Sequence, residues 1–187
     1  MRLFNTVLVL MVFGCASNKV LDESGESLDP MVGKILTARA YIAASYDEVW
    51  NSFTQASAYE TWSSSPCLEF GSSPGDRVAW GTSRLGEPGE RLVYQGTVEE
   101  IVKGRGLTHT FQFVDFGFEE PPSPIEIQIS KHGETVLVVL RHDCTRAPKT
   151  AAMISEVGWL KSLSRLKTLL ETGQPMPWPE NPTAEGP

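Results

Sequence analysis

Basic side chains are in short supply here. Sixteen Lys and Arg stand against 23 Asp and Glu, a formal net charge of −7 over 187 residues. Nucleic-acid binding needs a basic face to neutralise phosphates, so that role is disfavoured. Histidine and cysteine are also few, three of each. A zinc site needs several such ligands at short spacing, and only His142 lies close to a cysteine, Cys144. No metal and no cofactor are therefore expected. No serine-hydrolase elbow, Gly-rich phosphate loop or paired-carboxylate signature is read either, which leaves serine hydrolysis and nucleotide chemistry without support. Long apolar runs are missing apart from residues 3–13, too few to span a bilayer as a permanent helix.

That short run has a meaning of its own. Arg2 is the sole charge among residues 1–14, and the apolar stretch suits the h-region of a signal peptide. It ends in Val12-Phe13-Gly14-Cys15, a small residue followed by Cys, which resembles a bacterial lipobox. Residues 1–14 then form the signal peptide, and Cys15 is acylated. A buried N-terminal helix or a plain secretory signal are the alternatives. Ala16 follows the Cys, and by resemblance to lipoprotein sorting this implies the outer membrane of a Gram-negative envelope, on its periplasmic face. Residues 15–33 are polar, acidic and aperiodic, a flexible tether with a reach of roughly 25 Å. With Cys15 lipidated, Cys67 and Cys144 remain as an even pair in an oxidising compartment, to be read as a disulfide or as two buried thiols.

The longest convincing helix spans residues 158–173. Trp159, Leu160, Leu163, Leu166, Leu169 and Leu170 fall at spacings of three and four, on one broad apolar face. Lys161, Ser164, Arg165 and Lys167 fill the other. Ser155 is placed to start this helix and Gly173 to end it in a left-handed conformation. Such a stripe needs a large apolar surface beneath it. The preceding chain can supply one: a strand at 34–44, a helix opened by the capping box Ser45-Tyr46-Asp47-Glu48, a second short helix at 56–62, and then about six strands joined by turns. Residues 107–113 place Leu107, His109, Phe111 and Phe113 on one face; residues 125–129 do the same with Ile125, Ile127 and Ile129. Strand 136–140 is apolar throughout, so whether Arg141 or His142 faces inward stays open. Residues 174–187 are Pro-rich and expected to form a disordered tail. The fold class is α+β, with an antiparallel sheet over one long C-terminal helix.

Several stretches carry a resemblance. They are the capping segment with Val49 and Trp50, the Tyr59/Trp62 pair, Pro74-Gly75-Asp76-Arg77, Gly96-Thr97-Val98-Glu99-Glu100-Ile101, and Gly158-Trp159 with Leu163, Leu166-Lys167 and Leu169-Leu170-Glu171-Thr172-Gly173. Together, over residues 34–173, they resemble the family of activator of heat shock protein 90 ATPase homologues. That family lies in the SRPBCC superfamily, beside START domains and the birch-pollen allergen. The resemblance implies a helix-grip fold: a curved antiparallel sheet of about six or seven strands wrapped round the C-terminal helix, with two short helices after the first strand. It also implies ligands such as lipids, sterols or aromatic polyketides. The family name suggests a chaperone partner, but a lipobox points outside the cytosol, so a protein partner stays unassigned.

The candidate cavity lining is Trp50, Tyr59, Trp62, Trp80, Tyr94, His109, Phe111 and Phe113, each of which also reads as ordinary core. His109 is the inward polar group, a core histidine or a ligand contact. No catalytic residue is assigned, because an enzyme should show several inward polar groups around such a His. The resulting expectation is a membrane-tethered domain that holds a hydrophobic small molecule or lipid between sheet and helix. A cyclase- or hydrolase-like enzyme using His109 and an envelope protein-interaction module are the alternatives.

Overall fold

The computed structural model describes residues 20–21, 27–28, 34–82 and 91–178. The signal segment, Cys15, most of the acidic stretch, residues 83–90 and residues 179–187 lie outside the described residues. The chain divides into two units, Met1–Pro30 and Met31–Pro187. In the first, β1 (Val20–Leu21) pairs antiparallel with β2 (Ser27–Leu28), so the stretch expected to be structureless carries one short ladder.

The second unit runs β3 (Ile35–Ile42), α1 (Tyr46–Thr54), α2 (Ala56–Trp62), β4 (Cys67–Phe70), β5 (Arg77–Gly81), β6 (Leu92–Val102), β7 (Gly106–Phe113), β8 (Ser123–His132), β9 (Thr135–Asp143) and α3 (Pro148–Thr172). The seven strands form one antiparallel sheet in the order β3-β9-β8-β7-β6-β5-β4. Hairpins account for five of its pairings. The sixth sets β3, the earliest strand of the unit, beside β9, the latest. Register shifts break the β4–β5, β5–β6 and β6–β7 ladders. Such bulges bend strands and strengthen their twist. At Gly96 the strands approach so closely that a Cβ would sit 1.8 Å from the carbonyl oxygen of Thr110, so a side chain there would force β6 off β7.

The sheet's inner face alternates as the sequence pattern requires. Ile125, Ile127 and Ile129 are buried, as are Leu107, His109 and Phe111. Register supplies what the uniformly apolar β9 left open. His142 pairs opposite Ile125 and faces inward, whereas Arg141 is exposed.

The capping box at α1 forms as expected: Glu48 N–H donates to Ser45 Oγ at 3.2 Å, and Ser45 N–H donates to Glu48 Oε2 at 2.9 Å. The long helix stops at Gly173 as expected but differs from its prediction at the start. It begins ten residues earlier, at Pro148, and kinks at Ser155, whose φ of 54° and ψ of 162° are non-helical. Beyond the kink Ser155 Oγ accepts from Gly158 N–H at 3.3 Å, so Ser155 starts the second segment as expected. The first segment has no such signal, because its cap comes from elsewhere. Ala147 offers no side-chain cap, and Glu120, in the β7–β8 loop, accepts from Lys149 N–H, Thr150 N–H and Thr150 Oγ1 at 2.7–2.8 Å. A carboxylate there satisfies orphan amides and meets the positive end of the helix dipole.

Leu163 and Leu166 are buried, and each such burial contributes about 1.5–3 kcal/mol. Leu160, expected on the same stripe, is instead 54% exposed. Arg165, expected in water, reaches back over the helix: its Nε donates to the carbonyl of Trp62 at 3.0 Å, and Nη1 donates to the carbonyl of Met176. Gly173 ends the helix at φ 81°, its N–H donating to Leu169.

Candidate functional site

Between the inner face of the sheet, α2 and α3 lies a cavity of about 280 Å³. Its wall includes Tyr59 and Trp62 from α2, Trp80 from β5, Tyr94 from β6, and His109, Phe111 and Phe113 from β7. Seven of the eight residues expected to line it are therefore brought together. Trp50 is not among them. It sits one helical turn away on α1, buried and stacked on Tyr46 with centroids 6.2 Å apart.

The sequence reading missed other contributors. Trp178, placed in the expected disordered tail, stands on the wall, and the Arg165 guanidinium lies 5.5 Å from its ring centroid. Ser63, Ser64 and Ser65 form a polar edge. Met153 and Ile154 line the cavity from before the Ser155 kink, Gly158, Trp159 and Ser162 from after it. The kink thus shapes the wall, and Gly158 leaves space because it carries no side chain. Ser64, Met153 and Trp178 are the exposed or half-exposed wall residues and mark the mouth.

The aromatic wall is a continuous lattice. Trp80 stacks on Tyr94 at 5.0 Å, Tyr94 leans on Phe111 at 4.6 Å, and Tyr59 stacks on Trp62 at 4.9 Å. His109 lies 5.6 Å from Trp80 and edge-on to Phe70 at 5.8 Å. Its Nδ1 is 2.9 Å from the carbonyl oxygen of Thr110. A carbonyl only accepts, so Nδ1 carries the proton. Burial pushes the His109 pKa down to about 4, partly offset by that bond, so the ring is neutral at pH 7 and Nε2 is a lone-pair acceptor.

A second buried histidine, His142, was left open by the sequence. Trp159 Nε1–H donates to its Nδ1 at 3.3 Å, so Nε2 must hold the proton and donate to Ser123 Oγ at 2.7 Å. Ser123 in turn donates to the carbonyl of Phe111 at 3.1 Å. Burial, and then the neighbouring His109, lower the His142 pKa to about 3. This chain runs the wrong way for a nucleophile: the imidazole gives Ser123 a proton rather than taking one. It positions Trp159 and Phe111 on the cavity wall.

Contrary to the expectation that no nucleophile elbow is present, Gly71-Ser72-Ser73-Pro74-Gly75 satisfies its letters. It joins two antiparallel strands rather than a strand and a helix, and the Ser72 and Ser73 amides donate to Asp76 Oδ2. Cys67 and Cys144 are not bonded. Both are free and buried, Cys67 in the main core cluster and Cys144 in a smaller one with Leu36, Ala147 and Ala151. Burial pushes their thiols up to about 12 and about 11, far from reactive thiolates. No group of three or more His, Cys, Asp or Glu is placed to hold a metal, and no helix is long and apolar enough to cross a membrane, among the described residues.

Solved structures share this architecture. CalU16 from Micromonospora echinospora is 19% identical with a TM-score of 0.56, covering 83% of each chain. The Aha1 dimer from Colwellia psychrerythraea is 17% identical with a TM-score of 0.56, covering 75% of this chain and 98% of that one. DynU16, from the dynemicin biosynthetic locus, is 19% identical with a TM-score of 0.59 over 75% of this chain; the match spans about half, 48%, of DynU16. At these identities the likeness shows the helix-grip fold. Among curated proteins no sequence matches. A family model does match, over residues 43–171, from the end of β3 to the last turn of α3, and with that span the chain belongs to the family described as Activator of Hsp90 ATPase homolog 1-like protein, within the SRPBCC superfamily.

Proposed function

We propose that this domain is a non-catalytic binder of a hydrophobic small molecule or lipid, held in the cavity between the sheet and α3. The observation that carries the reading is the cavity: about 280 Å³ of space between sheet and helix, walled largely by aromatic rings. Apolar clefts with a few fixed polar atoms are the usual form of small-molecule sites. The superfamily's fold commonly serves hydrophobic ligands, which supports the same reading. An enzyme is not favoured, since the second buried histidine has both ring nitrogens engaged and no acid faces His109 in the network described.

The same proposal places the domain on a membrane through acylated Cys15, at the periplasmic face of the outer membrane in a Gram-negative cell. Its support is the apolar run followed by Gly14-Cys15. Two measurements test the two halves. Organic extraction of the natively produced protein, followed by mass spectrometry, should release a hydrophobic compound in near-stoichiometric amount. Recovery of none, together with no uptake of aromatic probes, would sink the binder. Cys15→Ser should move the chain from the detergent phase to the aqueous phase, and unchanged partitioning would end the lipoprotein reading.

A further inference from the structure

The polar atoms of the cavity wall differ in what they leave free. Trp62 Nε1 donates to Ser52, Trp159 Nε1 to His142, and Ser162 Oγ to Gly158. Those groups are spent. The Tyr94 hydroxyl has the side chains of Ser65 and Ser63 as its polar neighbours. His109 is 3% exposed, and its Nδ1 is turned back onto the backbone of its own strand. That leaves Nε2, at the far tip of the ring, with no hydrogen-bond partner among the described residues. A buried acceptor in that state costs free energy that a donor from a ligand recovers. The Tyr59 hydroxyl and the Trp80 indole N–H, both buried on the same wall, also lack a hydrogen-bond partner among the described residues. Both of these can donate.

We infer that the cavity selects neutral aromatic molecules of one or two rings that bear a hydroxyl, the O–H donating to Nε2 of His109. The inference rests on the cavity being a ligand site. A hydroxyl suits the wall because one oxygen meets both needs: it donates to the imidazole and still accepts from Tyr59 or Trp80. A carbonyl or ether can only accept. A carboxylate adds the cost of burying an uncompensated charge against a lone pair. Size follows from volume: an apolar cavity of about 150 Å³ takes benzene, and this one is near twice that.

The test is an equilibrium titration of the full chain carrying Cys15→Ser, followed by NMR with ¹⁵N-labelled imidazole. The probes are 2-naphthol, 2-methoxynaphthalene, naphthalene and 2-naphthoate. Naphthol should bind about tenfold more tightly than the methoxy compound or the hydrocarbon, the scale of one neutral hydrogen bond. Naphthoate should bind most weakly, and the His109 Nε2 resonance should move on naphthol binding only. His109→Phe should abolish the preference while retaining the hydrocarbon. If that variant does not fold, the ranking in the unsubstituted chain and the nitrogen shift decide. Equal affinity for naphthol and methoxynaphthalene, or a preference for naphthoate, overturns this inference and leaves the binder standing. Failure of every probe overturns this inference, and only together with an empty organic extract does it remove the binder as well.

Discussion

Trp159 Nε1–H and His142 Nδ1 lie 3.3 Å apart, a bond that ties the long helix to the strand β9 beneath it. Trp159→Phe keeps most of the apolar area but removes the donor. Whichever tautomer His142 then takes, one ring nitrogen stays buried without a partner. The expected loss is about 1–3 kcal/mol, read by urea denaturation. A loss below about 0.5 kcal/mol, the ordinary scatter of surface substitutions, would show that the bond does not matter.

Acid should destabilise the domain before its carboxylates titrate. His109 and His142 are held neutral, with pKa values of about 4 and about 3 against an ordinary 6.5. The unfolded chain therefore binds more protons than the native one between those limits. The contribution to stability is full above pH 6.5 and is lost as pH falls through the window down to about 4 and about 3. Each histidine adds a slope of at most about 1.4 kcal/mol per pH unit. Stability measured from pH 7.5 to 5 should fall from about 6.5 downward, and His142→Gln should flatten that fall. A flat profile across this range would contradict the burial of both rings.

Glu120 replaces a cap that α3 does not have in its own sequence. Glu120→Ala should cost about 1–2 kcal/mol, the upper range of cap losses with a dipole contribution added. Glu119→Ala, on the exposed neighbour, should cost almost nothing. Equal effects would mean that the three bonds at 2.7–2.8 Å are not a cap in solution.

These cases mark where the sequence was legible. Local signals carried the sheet and the short helices: period-two strands such as Ile125-Ile127-Ile129, the Ser45–Glu48 box and the Gly173 stop. The cavity was legible as an inward aromatic set because β7 alternates cleanly. What stayed hidden depends on partners distant in the chain. His142 needed the β8–β9 register to be placed, since β9 is apolar on both faces. The first turns of α3 are capped by Glu120, thirty residues away from Thr150. Trp50 belongs to the same core but lies one turn of α1 before the wall residue Phe53, where it stacks on Tyr46. Trp178 sits in a Pro-rich stretch that gives no periodic signal at all.

Trp178 gives the next prediction. Residues 174–178 are held by Arg165, through its bond to Met176 and its position over the Trp178 ring. Removing residues 174–187 should cost about 1–2 kcal/mol more than removing 179–187, from one hydrogen bond and one cation–π contact. It should also loosen the grip on 2-naphthol, because the mouth loses a wall. Identical melting curves for the two truncations would show that Trp178 only rests on the surface.

Ser155 stores strain at the same wall. Its φ of 54° with ψ of 162° falls in a region that is nearly glycine-only and costs other residues about 1–3 kcal/mol. What holds it there is geometry. Met153 and Ile154 must reach the cavity from one helical segment, and Gly158 and Trp159 from the next, with a break between them. Ser155 also repays part of the cost by accepting from Gly158 N–H. Ser155→Gly relieves the backbone and forfeits only a few tenths of a kcal/mol of capping. The variant should therefore be more stable, by about 1 kcal/mol, with its affinity for aromatic probes unchanged if the kink persists. Ser155→Ala keeps the strain and loses the cap, so it should be less stable. If glycine destabilises as much as alanine, the strained turn is not what the native chain adopts, and the two halves of α3 run together as one straight helix.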